Sequence, residues 1–179
     1  MKKLNVIWLM VMACLINIMP LFGQTDSKKN KIIADSKTAK TEFIAADGLM
    51  KGLFDNAYGY VIFPNVGKGG LGIGGAIGNG VVYQNNKVIG LAKLSQVSIG
   101  FQAGGQAYRE VIFFESKKEL ERFKNGQFEF SAQVSAVAVT AGASANIKFT
   151  EGIMVFTMQK GGLMYEASVG GQQFKFSKL

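Results

Sequence analysis

Five lysines crowd the stretch after residue 27, Lys28, Lys29, Lys31, Lys37 and Lys40, and Lys51 and Lys68 follow at wider spacing. Ammonium groups at that density suit the capture of anionic groups such as phosphates, and the same charges would equally keep a segment solvated. A second candidate is Lys68-Gly-Gly-Leu-Gly-Ile-Gly-Gly-Ala-Ile-Gly-Asn-Gly80, which contains a literal G-x-G-x-x-G at Gly70, Gly72 and Gly75. A dinucleotide fingerprint needs a helix after the glycines, so that the pyrophosphate meets unpaired helix amides, and here strand-like Val81-Val82-Tyr83 follows. Gly67-Lys68 lacks the serine or threonine that completes a nucleotide P-loop, so no nucleotide cofactor is expected. Glu110 with Glu115, or Glu151 with Glu166, could meet across a sheet, but nothing in their spacing separates catalysts from surface charges. The chain has no histidine, which removes imidazole acid–base catalysis, histidine triads and histidine metal ligands. The reading is a non-enzyme without cofactor or metal.

Length and ends narrow the class further. The 179 residues, 48% hydrophobic, suffice for one domain with a buried core. Lys2 and Lys3, the apolar run 4–22 and then Gly23-Gln24 before polar Thr25-Asp26-Ser27-Lys28 read as a secretory signal over residues 1–24. The expected destination is the periplasm or a cell-envelope membrane surface, with secretion as a variant. Cys14, the single cysteine, follows Val11-Met12-Ala13 in a loose lipidation pattern. The residues after it stay apolar where a lipoprotein turns polar, so signal removal is expected over anchoring. Residues 25–179 hold no cysteine, which excludes disulfides and thiolate chemistry there. Without Lys2 and Lys3 the chain keeps 18 basic and 12 acidic side chains, a net +6. In an exported protein that surplus favours anionic lipid headgroups or envelope polyanions over nucleic acid.

Two periodicities divide what remains. Residues 25–57 read as helical, with Phe43, Ala46, Met50 and Phe54 forming an apolar stripe beside Leu49 and Leu53, and with Gly48 and Gly52 as points of break or kink. From Gly59 the period becomes two, and residues 58–179 read as a glycine-rich β core. Strands are expected at 60–63, stopped by Pro64-Asn65, and at 81–84 and 87–89, joined through Asn85-Asn86 as a hairpin. Further strands are expected at 96–108, 111–114, 128–140, 143–149, 153–158, 163–169 and 172–176. One helix interrupts them, opened by the capping box Ser116-Lys-Lys-Glu119 and closed by Gly126, with Leu120 and Phe123 facing the sheet. In the glycine run, Gly70, Gly72, Gly74, Ala76, Gly78 and Gly80 alternate with Leu71, Ile73, Ile77 and Val81. One face is therefore nearly bare backbone, which implies close approach by another element and strongly curved sheets.

The ordered pattern Ala57-Tyr-Gly-Tyr-Val-Ile-Phe-Pro-Asn-Val-Gly-Lys-Gly-Gly-Leu-Gly-Ile-Gly-Gly, Gly78-Asn-Gly-Val-Val, and Ser98-Ile-Gly-Phe-Gln-Ala-Gly-Gly-Gln106 resembles the SYLF family. Val111-Ile-Phe-Phe, the capped helix and Lys160-Gly-Gly-Leu163 continue the likeness, which covers residues 30–176. Tyr108-Arg-Glu110 stands where many relatives carry an aspartate. The resemblance implies a lipid-binding module, with actin as a further partner in fungal members. The expected fold is α+β, mainly antiparallel β, with curved glycine-rich sheets, an N-terminal helical segment and one short internal capped helix. The expected function is a non-catalytic module that docks on anionic phospholipid or lipid A through Lys28, Lys29, Lys31, Lys37, Lys40, Lys51 and Lys68. Neither nucleic acid nor actin is an expected partner of an exported chain. The alternatives are a small outer-membrane β-barrel, since 128–140 and 153–158 alternate like tilted spanning strands, and an envelope structural or protein-interaction protein.

Overall fold

A computed structural model describes residues 22–71, 73–99, 104–127, 136–160, 169 and 171–179. The expected signal segment up to residue 21, Cys14 and most of the expected strand 163–169 lie outside the described residues, as does 128–135. The chain divides into residues 1–31 and a compact unit, residues 32–179. In the first, the described residues are helical, and Lys29 stands 4.0 Å from Asp26 one turn away.

Helix α1 runs Phe22–Ala46 and α2 runs Met50–Asn56. The chain breaks between them at Asp47, Gly48 and Leu49, as the glycine suggests, whereas Gly52 is accommodated inside α2. Strands β1 (Gly59–Leu71), β2 (Ile73–Gln84), β3 (Lys87–Ile99) and β4 (Gly104–Phe114) follow as a meander of long strands. Then come α3 (Lys117–Lys124), β5 (Ala136–Ala138), β6 (Ile153–Gln159) and β7 (Gln172–Lys178). These strands make one sheet in the order β5-β6-β4-β1-β2-β3-β7, antiparallel except for the short β5–β6 pair. The fold is α+β, as expected.

Several boundaries differ from the sequence reading, each for a local reason. Pro64 does not stop β1. The strand passes through it with a bulge, and the registers against β2 and β4 both shift between Ile62 or Phe63 and Asn65 or Val66. A proline inside a central strand is tolerable there because the bulge leaves a residue outside the ladder. The glycine run is not one strand: Leu71 pairs with Ile73, so the chain reverses between them. The expected strand 96–108 is instead the end of β3 and the start of β4, and β4 continues without a break through Arg109 and Glu110. Residues 143–149 are not a strand. Residues 141–146 form turns around Gly142 at φ +78°, and Ser144 donates from its amide (2.8 Å) and hydroxyl (2.7 Å) to Asp47 Oδ2. Asn85 and Asn86 take φ 48° and 61°, the paired left-handed geometry of a tight hairpin. At α3 the Ser116 hydroxyl accepts from the Lys118 amide (3.2 Å) rather than that of Glu119, and donates to Glu119 Oε2 (2.5 Å). That bond is the main reason the Glu119 carboxyl is held below the usual carboxylate range.

Both faces of the sheet carry core. On one, Phe43, Met50 and Phe54 of the helices pack on Tyr60, Ile62, Val81, Val111, Phe113 and Phe156, so the apolar stripe faces its own sheet. On the other, Leu120 and Phe123 of α3 join Val61, Phe63, Val82, Ile112, Phe114 and Phe174. That second face is strongly concave. In the sheet order β4 and β7 are four strand spacings apart, about 19 Å if flat, yet Gln172 Nε2 lies 3.0 Å from Glu110 Oε2, and the rings of Phe63 and Phe174 are 5.8 Å apart.

The alternating glycines permit this curl. Ala76, Gly78 and Gly80 point into the concave core, and a Cβ on Gly80 would stand 2.6 Å from the Phe63 ring and 2.8 Å from the Ile62 carbonyl. Gly80→Ala should therefore destabilise by about 1–3 kcal/mol, the usual range for overpacking. Gly67→Ala, with open space at its Cβ position, should change the denaturant midpoint little. Equal midpoints for the two variants would refute the close-packing account.

Candidate functional site

The lysines singled out from sequence are distributed over α1, α2 and β1. Lys28, Lys29 and Lys31 belong to residues 1–31 and lie on α1. In the compact unit Lys37 is exposed, whereas Lys40 is turned inward. Its Nζ donates to Tyr60 Oη (3.0 Å) and Asn86 Oδ1 (2.9 Å) and lies 4.8 Å from the Phe54 ring centre. Desolvation lowers its pKa, with Asp55 opposing. Lys40 thus acts as a strut between α1 and the β2–β3 hairpin turn. Lys51 pairs with Asp55 at 2.5 Å, one turn along α2. Lys68 is half-buried near the far end of β1. Of the carboxylates, Glu110 is fully buried while Glu115 is exposed just past β4, so these two do not share a site.

A different basic surface emerges from the register. Within the compact unit the helices pack on the outer sheet face above Tyr60, Val81 and Tyr83. Beyond them the ladder aligns Asn65, Asn79, Lys93 and Lys175 in one row across β1, β2, β3 and β7. All four are exposed. The next row is Gly67, Ile77, Ser95 and Gln173, and the one after it holds Gly69, Gly75 and Val97. Ile77 and Val97 are 73% and 75% exposed, values at which a large aliphatic side chain gains almost nothing from folding. A groove of about 600 Å³ runs over the first two of these rows, lined by Asn65, Ile77, Asn79, Lys93, Gln173 and Lys175. Lys160 reaches its rim and donates to Asn65 Oδ1.

Lys93 and Lys175 are direct cross-strand partners. Like charges placed opposite one another destabilise a sheet by a few tenths of a kcal/mol up to about 1 kcal/mol. Neither lysine is ion-paired among the described residues. The pair is thus costly to the fold and well placed for an anion bridging the two ammonium groups. Sequence reasoning missed it because both lysines sit singly in alternating strands, between Ala92 and Leu94 and between Phe174 and Phe176. Only the register brings them together.

Among the described residues no group of three or more His, Cys, Asp or Glu side chains could hold a metal ion. Nor is any described helix long and apolar enough to cross a membrane. The described strands form an open order with edges at β5 and β7, and helices pack on both faces. A small outer-membrane barrel, which closes its sheet and turns an apolar band outward, has neither feature.

Residues 95–178 match the family described as Ysc84, Las17-binding protein actin regulator, a span from the end of β3 through β7 that includes Lys175. The chain is also similar to Beta cell expansion factor A of Aeromonas veronii, 30% identical over 128 residues, which cover 70% of this chain and 48% of that relative. The chain therefore spans about half the length of the curated relative it matches. The glycine-rich meander, the capped helix and these two matches agree, and the chain belongs to the SYLF, or Ysc84, family of lipid-binding modules, some of whose members bind actin.

Proposed function

We propose that this protein is an exported, non-catalytic module that docks on anionic membrane lipid, phospholipid or lipid A, through the uncovered outer face of its sheet. The observation that carries the reading is the exposed cross-strand pair Lys93 and Lys175 beside exposed Ile77 and Val97. The rows are ordered for a bilayer. Two strand residues span about 6.7 Å, so Val97 stands four residues, or about 13 Å, beyond the lysine row. With the β1–β2 hairpin end directed into the membrane, Ile77 and Val97 reach the acyl boundary while the lysines and asparagines remain at phosphate depth. Lys28, Lys29, Lys31 and Lys37 on α1 add cationic attraction over a longer range, and Lys40 and Lys51 contribute least because they are engaged within the domain. Residues 1–24, read as an export signal, make an envelope membrane the natural target and cytoplasmic actin an improbable partner.

Co-sedimentation of the full chain with vesicles tests the reading. Binding to vesicles containing phosphatidylglycerol, weakened several-fold between low and moderate salt and absent from pure phosphatidylcholine, is the expected result. Absence of binding to both vesicle types would reject docking and favour an envelope protein-interaction role.

A further inference from the structure

The concave interior holds a group that lipid docking does not use. Glu110 is 0% exposed in the middle of β4. The β4–β6 register places Thr157 directly opposite it, and Gln159 opposite Tyr108 two positions away on the same face. From β7, Gln172 donates Nε2 to Glu110 Oε2 at 3.0 Å. Side chains from three strands thus converge on one buried carboxylate, and their oxygens are left without partners. Glu110 Oε1, Thr157 Oγ1, Gln159 Oε1 and Gln172 Oε1 are buried without a hydrogen-bond partner among the described residues. The Tyr108 hydroxyl is close enough to Gln172 to feel it but stands outside hydrogen-bond geometry. Each orphaned buried polar atom is destabilising, and native interiors rarely leave more than a few in a whole domain. Several in one place indicate that the cluster is completed by something other than the described residues.

We propose that this cluster binds one dehydrated monovalent cation of the Na⁺ or K⁺ class, held by the Glu110 carboxylate and the neutral oxygens of Thr157, Gln159, Gln172 and Tyr108. The ligand atoms select the class: a purely oxygen set suits a hard cation, repels an anion and would stay unsatisfied around an apolar guest. Charge selects the valence. One carboxylate neutralises one monovalent ion, whereas a divalent ion would leave net positive charge in the core, and Ca²⁺ sites gather several carboxylates. Burial supplies the reason for binding, since an ionised Glu110 with a single amide donor is a charge without a counterion. This inference does not depend on the lipid reading.

The test is thermal unfolding of the full chain at pH 8.5, with tetramethylammonium chloride exchanged for NaCl or KCl at constant ionic strength. Tetramethylammonium is too large for the cluster, so a saturable rise in Tm of about 3 °C or more with Na⁺ or K⁺ is expected for the wild type. Glu110→Gln should abolish that rise, and the near-isosteric Thr157→Val should move its midpoint to roughly tenfold higher cation concentration. A cation response equal in all three proteins, or none in the wild type, would overturn the proposal and leave the cluster to buried water. A response to Ca²⁺ alone would overturn the choice of ion. Should either variant fail to fold, ²³Na relaxation of the wild type decides: broadening reversed by excess K⁺ supports the site, and unbroadened ²³Na together with an unchanged Tm rejects it.

Discussion

Replacing both strand lysines, Lys93→Glu with Lys175→Glu, should weaken binding to anionic vesicles by at least about 30-fold while leaving the fold intact. The binding estimate follows from about 1 kcal/mol per lysine near an anionic surface, so loss of two attractions alone is worth about 2 kcal/mol. Reversal adds repulsion beyond that. The fold should be preserved because the two residues face one another across the β3–β7 ladder, and a pair of glutamates repels there much as a pair of lysines does. The single variant Lys93→Glu separates function from stability more sharply. It creates an opposite-charge pair, so stability should rise by a few tenths of a kcal/mol, whereas vesicle affinity should still fall several-fold. A residue that mattered only to folding would show the two quantities moving together. Vesicle affinity unchanged in the double variant, with α1 intact, would shift the docking role to Lys28, Lys29, Lys31 and Lys37.

The sequence was most legible where a periodic signal coincided with a local one. The Asn85-Asn86 turn, the Ser116 cap, the apolar stripe of Phe43, Met50 and Phe54 and the buried strand at 153–158 each follow from residues within one turn or one strand. Failures occurred where distant pairing decides. Pro64 reads as a stop unless both neighbouring ladders are seen to bulge at the same place. The run of small residues at 143–149 alternates like a strand, yet Asp47, almost a hundred positions away, holds Ser144 in a turn. The candidate surface shows the same limit. The lysine-rich start of α1 is visible because its charges are adjacent in sequence, whereas Lys93 and Lys175 are separated by most of the domain and meet only through register. Parity within the glycine run was legible, and it places Ile77 outward and Gly78 and Gly80 inward, but the reversal after Leu71 was not.

Glu110→Gln should stabilise the protein by about 3 kcal/mol at pH 8 in tetramethylammonium buffer and have almost no effect at pH 4. Burial is the largest influence on this carboxyl and raises its pKa from 4.5 to about 7, against the opposing hydrogen bond from Gln172. Below pH 4.5 the group is protonated in both the folded and the unfolded chain, so ionisation contributes nothing to the difference between them. Between about 4.5 and 7 the unfolded chain releases the proton and the folded chain keeps it, so wild-type stability declines as pH rises. Above 7 both are ionised and the full penalty remains, about 2.5 pKa steps at 1.36 kcal/mol each. Glutamine is neutral throughout and its amide oxygen can still accept from Gln172, so the variant escapes the decline. The neighbours that face Glu110 are Tyr108 on β4, Thr157 and Gln159 on β6 and Gln172 on β7. Burial raises the Tyr108 pKa as well, so that hydroxyl remains protonated throughout this range. The expected gap in Tm at pH 8 is roughly 6–12 °C for a chain of this size. Parallel pH profiles for the two proteins would mean that Glu110 is stabilised as a carboxylate, or hydrated, in the folded state. Addition of Na⁺ or K⁺ separates burial from ion binding. Burial alone leaves the gap unchanged, whereas an ion held at Glu110 raises only the wild type and narrows it.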